Sequence, residues 1–190
     1  RYIPHTVRRF LSKAKNKDIT FNFHQSHTGE MIKGLKEEIY DVIFGSYVEN
    51  EPDIQFVPII RQEMIVITPI GHPLSLKEKV CLRDLENYPL IGYDKTSGLG
   101  KFTNQIYNSY SVNPNITCES PDENAIASLV AENFGIAFVA NVDTLRHFPL
   151  ERLLLSDVSL FHTVYLAYLK DHYQIPAVKN FISFIKKDAR

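Results

Sequence analysis

Cysteine is scarce here, and the scarcity removes two kinds of chemistry. Among 190 residues only Cys81 and Cys118 are cysteines, far apart and outside any CxxC or Cys/His cluster. Neither a zinc site nor a disulfide scaffold is indicated, and both read as small buried hydrophobes. A basic excess is missing too: 21 Lys and Arg stand against 22 Asp and Glu, a formal net charge of -1. The surface therefore lacks the electrostatic signature of a nucleic-acid binder. No apolar run reaches the length of a membrane-spanning helix. The start, Arg1-Tyr2-Ile3-Pro4, has no apolar stretch behind a basic residue, so no secretory signal is read and a cytoplasmic location is expected. A first residue other than Met is what a piece of a longer protein would show.

Catalytic signatures are absent as well. There is no Gly-x-Ser-x-Gly and no Gly-x-Gly-x-x-Gly, and Ser97-Gly98-Leu99-Gly100 lacks the Lys-Ser/Thr tail of a P-loop. Asp41, Asp53, Asp84 and Asp94 are carboxylates that no motif brings together. His24-x-x-His27 places its two rings on opposite faces of an extended chain, so no metal is expected. No catalytic residue, cofactor or enzymatic activity is anticipated.

What is present is the pattern of an α/β domain. Hydrophobic residues make up 44% and charged ones 23%, the balance of a globular protein. Pro4 followed by Val7, Phe10, Leu11 and Ala14 predicts a helix. Ile19, Phe21 and Phe23 alternate with polar residues, which predicts a half-buried strand. Thr28 reads as the N-cap of a helix carrying Met31, Ile32, Leu35 and Ile39. Val42-Ile43-Phe44 closed by Gly45, Met64 to Ile67, Pro89 to Ile91, Ile116 to Cys118, Ile136 to Val139 and Val164 to Leu169 are strand runs. Helices are expected from Leu99 to Tyr110, from Asp122 to Phe134 with Gly135 as the left-handed end, and after Pro176. Two successive α/β units argue for two lobes.

Several segments, in order and at matching spacing, resemble the effector domain of LysR-type transcriptional regulators. Ser26-His27-Thr28-Gly29-Glu30-Met31-Ile32-Lys33-Gly34-Leu35 resembles the family's Gly-Asn-Thr-Glu-Glu-Leu-Leu-x-x-Leu. Tyr40-Asp41-Val42-Ile43-Phe44 is similar to its Leu-Asp-Leu-Ala-Ile strand. Glu63 to Pro69 with Gly71-His72-Pro73-Leu74 matches its crossing strand and Gly-His-Pro-Leu turn. Asp84-Leu85 to Pro89-Leu90-Ile91, and Asn133-Phe134-Gly135-Ile136-Ala137-Phe138-Val139, follow its later motifs, with Ala140 where the family usually has Pro. The family's first strand, ahead of the first helix, has no counterpart from Arg1 onward.

The resemblance implies an α/β, two-lobed fold of the type II periplasmic-binding-protein kind, with mainly parallel sheets, flanking helices and two crossing strands. Lobe I would hold residues 1–67 and 169–190, lobe II residues 68–168. The winged helix-turn-helix that touches DNA would lie outside this chain. A small-molecule effector would bind between the lobes and control a homo-oligomer, a dimer of this domain and a tetramer at full length. The helix from Pro4 to Ala14 would pack on the partner's second-lobe helix. No membrane partner is implied.

Candidate effector contacts follow from helix starts and strand ends. Thr28, flanked by Ser26 and His27, begins a helix whose free N–H groups attract anions, although an ordinary cap would look the same. Ser46 follows a strand end. Tyr93, Thr96, Ser97 and Gly98 form a loop into a second helix start, either an anion nest or a plain capped turn. Asp122 and Glu123 open a further helix and are usual dipole partners; Tyr168 on the return strand is either a contact or hinge packing. An extracytoplasmic solute receptor of the same fold, or an α/β enzyme, is the alternative function.

Overall fold

The computed structural model describes residues 2–188. In chain order the elements are α1 (Tyr2–Leu11), α2 (Thr28–Lys36), β1 (Ile43–Gly45), β2 (Ile54–Pro69), β3 (Pro89–Tyr93) and α3 (Gly98–Ser109). They continue with β4 (Asn115–Ser120), α4 (Glu123–Ala131), β5 (Ile136–Ala140), β6 (Leu150–Leu153), β7 (Phe161–Leu169) and α5 (Pro176–Asp188). Short 3-10 turns sit at Ala14–Asn16, Pro73–Leu76, Leu82–Asn87 and Asp143–His147. The chain sorts into two compact units: residues up to Ile60 with those from Thr163 onward, and Arg61–His162. It passes from one to the other within β2 and again at β7, slightly earlier in each strand than the 67/68 and 168/169 boundaries expected from sequence.

In the first unit β1 runs antiparallel to β7, with Ile43 opposite Ala167 and Gly45 opposite Tyr165. Two apolar clusters hold it. Val7 and Phe10 of α1 meet Leu166 of β7 and Phe181, Ile182 and Ile185 of α5. Ile32 and Leu35 of α2 meet Ile43, Ile54 and Ala167. Phe10 packs edge-on against Phe181 at 5.1 Å and Phe21 at 6.0 Å, and each such buried aromatic contributes roughly 1.5–3 kcal/mol.

The strand expected at Ile19–Phe23 does not form. The segment has no regular secondary structure and no strand pairing; Phe21 lies 5.0 Å from Phe181 and Phe23 is 64% exposed. Beside it lies a groove of about 530 Å³ whose lining includes Phe21, His24, Ser26, Val42, Ile43 and Phe44. The alternation predicts a strand, but a strand exists only where a neighbouring backbone takes up its N–H and C=O groups.

The second unit is built on β3, which pairs parallel with both β4 and β5. β2 pairs antiparallel with β5 and with β6. Parallel pairing thus holds in the middle of this unit, with antiparallel partners beyond it and in the first unit. Leu90 to Tyr93 and all of β5 are buried, as expected of strands covered on both faces. Ile126, Ala127 and Val130 of α4 and Ile106 and Tyr107 of α3 close the core. Both cysteines are half-buried and free; Cys81 lies 3.6 Å from the Ser156 hydroxyl.

Three helices end alike. Glu38, Ser111 and Asn133 have φ of 57°, 53° and 63°, and the next residue's N–H reaches back to the last turn. Those bonds are Ile39 to Gly34 at 2.8 Å, Val112 to Tyr107 at 2.9 Å and Phe134 to Leu129 at 3.1 Å, the Schellman pattern. Asn133, and not Gly135, is therefore the left-handed residue that ends α4. Gly135 has φ of 154°, and a Cβ there would lie 2.4 Å from the Pro89 carbonyl oxygen. Its glycine is required by the approach of β5 to β3.

Candidate functional site

Parallel β3, β4 and β5 finish along one edge of the second unit, at Tyr93, Ser120 and Ala140. Helices α3 and α4 begin there, the usual place for ligand contacts in such sheets. Ser97 is the N-cap of α3. Its hydroxyl accepts from the Gly100 N–H at 2.9 Å and donates to the Asp94 carbonyl at 2.7 Å. Asp94 Oδ1 accepts from the Thr96 N–H at 2.7 Å and its hydroxyl at 2.5 Å. The side chains of Thr96 and Ser97 are thus used in shaping the turn. What the turn offers outward is the backbone: the N–H groups of Gly98 and Leu99 have no intrahelical acceptor, and the helix dipole makes that end positive. Lys95 pairs with Glu119 at 3.2 Å beside it.

Tyr93 is buried at the end of β3. Its hydroxyl accepts from the Ala140 N–H at 3.1 Å and donates to Glu123 Oε1 at 3.2 Å. Burial drives its pKa well above the ordinary value. Glu123, the first residue of α4, is pushed up by burial and by Asp122 beside it. Asp122 itself caps α4, accepting from the Asn124 and Ala125 N–H groups at 2.9 and 3.0 Å. The expected loop residues Tyr93, Thr96, Ser97 and Gly98 therefore lie on one edge with Asp122. The Tyr93–Glu123 link was not legible, since nothing in the sequence couples residues thirty apart.

In the first unit α2 begins differently from expectation. His27 has extended backbone and is the N-cap, without a side-chain bond; Thr28 is the first helical residue. The local reason is that the Met31 N–H closes on the His27 carbonyl at 3.0 Å, which sets the cap one residue earlier. Ser26 donates to Glu30. A Cβ on Gly45 would lie 3.1 Å from Thr28 Oγ1, so the glycine at the end of β1 brings Thr28 next to Gly45 and its neighbour Ser46. Tyr168 is engaged by Lys186 of α5, whose ammonium donates to the tyrosine hydroxyl at 2.5 Å and lies 5.0 Å from the ring. Among the described residues no three His, Cys, Asp or Glu side chains gather in a way that would hold a metal ion, and no helix is long and apolar enough to cross a membrane.

The model of the LysR substrate binding domain matches residues 1–190. The chain belongs to that family. It is a regulatory module and no enzyme, in the type II periplasmic-binding-like fold that LysR substrate-binding domains share. The effector-binding domain of QuiR in complex with shikimate is 34% identical, with a TM-score of 0.94, over 98% of this chain and 90% of that one. The regulatory domain of CcmR from Synechocystis PCC6803, in complex with 2-PG, is 19% identical with a TM-score of 0.86, over 100% and 91% of the two chains, a likeness of fold. The HTH-type transcriptional regulator YybE of Bacillus subtilis (strain 168) is 21% identical over 96% of this chain and 62% of its own length. The chain spans about three fifths of the curated relatives it matches.

Proposed function

We propose that this LysR substrate-binding domain senses a small anionic metabolite, a carboxylate of the size of shikimate, in the cytoplasm. The observation that carries the proposal is the start of α3. Its side chains are turned inward to hold the loop, and its backbone N–H groups are left for an anion at the edge where β3, β4 and β5 end. Thr28, Ser26, His27 and Ser46, at the start of α2 and the end of β1, are the effector contacts that the first unit would contribute. Tyr168 is held by Lys186 and belongs to the packing of its strand. Binding biases the conformational equilibrium of the domain by no more than its differential affinity for the alternative states. The change is passed to a homo-oligomer whose DNA-binding helix-turn-helix lies in the remainder of the longer protein. The shikimate complex of a relative 34% identical supports the ligand class.

Thermal melting with shikimate, 2-PG, simple carboxylates and sulfate tests this. A ligand at about a hundred times its Kd stabilises the fold by roughly 2.7 kcal/mol. For a domain of this size that raises the melting temperature by several degrees. A carboxylate that does so, with the shift reduced in Thr28→Val, supports the reading. A panel in which no anion moves the melting temperature refutes it.

A further inference from the structure

Glu123 is a carboxyl that no side chain neutralises. No ion pair reaches it among the described residues, its acidic neighbour Asp122 opposes its charge, and burial opposes it further. Its one side-chain partner is Tyr93. The direction of that bond is fixed, because the tyrosine oxygen already accepts from the Ala140 N–H at 3.1 Å and has a single proton to give, which goes to Glu123 Oε1 at 3.2 Å. The carboxyl is therefore held by two donors, the Tyr93 hydroxyl and its own backbone N–H, with acceptor capacity remaining for a further donor.

Its place is specific. Ser120 lies opposite Tyr93 in the β3–β4 register, and the Asp94 N–H bonds the Ser120 carbonyl at 3.1 Å, so the loops leading to Ser97 and to Glu123 are tied together at their bases. One strand edge thus carries two opposite demands. The start of α3 presents donors and favours negative charge; the Tyr93–Glu123 pair presents acceptors and disfavours it. A plain anion satisfies the first and is repelled by the second. A ligand carrying an acid group and hydroxyl groups satisfies both, its acid on the α3 N–H groups and a hydroxyl donating to Glu123.

We infer that Glu123, positioned by Tyr93, is a specificity-determining residue that selects a hydroxylated acid over its deoxygenated counterpart. The inference rests on the anion-sensing reading above. A half-buried acceptor with capacity to spare discriminates against a ligand that leaves that capacity unused, here by about 10-fold.

Titration calorimetry with shikimate and with cyclohex-1-ene-1-carboxylate, which has the acid and the ring but no hydroxyls, tests it. The unaltered chain should favour shikimate by that factor, and Glu123→Ala should collapse the ratio of the two affinities. Glu123→Gln, which keeps an acceptor for the Tyr93 proton and so preserves the local packing, should lower the ratio by less. If the chain binds both acids with equal affinity, or if Glu123→Ala weakens both alike while far-ultraviolet circular dichroism stays unchanged, Glu123 does not select and the inference is overturned. If neither acid binds, this inference is overturned, and the anion-sensing reading falls with it only when the melting panel of 2-PG, simple carboxylates and sulfate also shows no shift.

Discussion

Replacing Gly100 by Ala sets two physical expectations against each other. Gly100 is the third residue of α3, and helix propensity alone makes Ala better there by about 1 kcal/mol. The surroundings say the opposite. A Cβ would stand 1.9 Å from the Asp94 carbonyl oxygen, 2.7 Å from its carbon and 3.1 Å from Lys95 Cα, all backbone atoms that no rotamer change can move. The turn would have to retreat by about 1 Å, the scale at which overpacking costs roughly 1–3 kcal/mol. That turn is held by the Ser97 N–H and hydroxyl on the Asp94 carbonyl, at 3.0 and 2.7 Å, and by the Gly100 N–H on the Ser97 oxygen at 2.9 Å. At about 1 kcal/mol for each bond lost, disruption costs about 3 kcal/mol and propensity returns about 1. The net loss is about 2 kcal/mol. In urea, with a slope of about 2 kcal/mol per molar, the midpoint should fall by about 1 M. The chain has no Trp, so far-ultraviolet circular dichroism is the suitable probe. A G100A variant as stable as the unaltered chain, or more so, would show that the α3 turn is not fixed by this contact.

Other consequences can be measured in the same way. Burial lowers His162 from 6.5 to about 4, so the fold favours the neutral ring. Stability present above pH 6.5 is lost as pH falls toward 4, by an amount on the order of 3 kcal/mol, and His162→Asn should flatten the acid limb of the stability curve; an unchanged slope refutes the assignment. Glu123 is raised, so its ionised form opposes folding. Glu123→Gln should be more stable than the unaltered chain at pH 8, with the difference vanishing as pH drops toward 4.5, and a difference that is the same at both ends would contradict the burial argument. Ser111 has φ of 53°, where Gly carries no Cβ penalty; Ser111→Gly should gain about 0.5 kcal/mol in urea unfolding after its extra unfolded-state entropy is counted, and a loss would argue against the strain.

Most elements announced themselves because their signals are local. Continuous apolar runs marked β1, β3 and β5, and spaced apolar residues marked α3, α4 and α5. The features that escaped are those decided by what lies alongside. The strand run expected from Met64 to Ile67 is only the later part of β2, which starts at Ile54 and runs for sixteen residues. β6 is only Leu150–Leu153 and exists because β2 offers it an edge. Ile19–Phe23 fails in the opposite sense: its alternation is correct, but no backbone pairs with it. Helix ends show the same limit, since Glu38 and Ser111 occupy left-handed positions where sequence reasoning looks for Gly. Those ends are selected by the reach of Ile39 and Val112 back to the final turns.

The candidate site was half legible for a related reason. Sequence points to side chains, so Thr96, Ser97 and Asp122 stood out as polar residues at helix starts. In the fold each is occupied: Ser97 ties Asp94 to Gly100, Thr96 is bonded to Asp94, and Asp122 closes the first turn of α4. Their work is to leave the backbone N–H groups of the α3 start in place, which is a property of the loop and of no single letter in it. Glu123 is the converse, a residue whose type suggests a routine dipole partner and whose surroundings make it costly. A carboxyl kept without a cation, beside a tyrosine whose proton is committed to it, opposes folding unless something it binds returns that energy. The physical case for a ligand at this edge therefore rests on a carboxyl that no cation offsets, set beside the N–H groups of the α3 start.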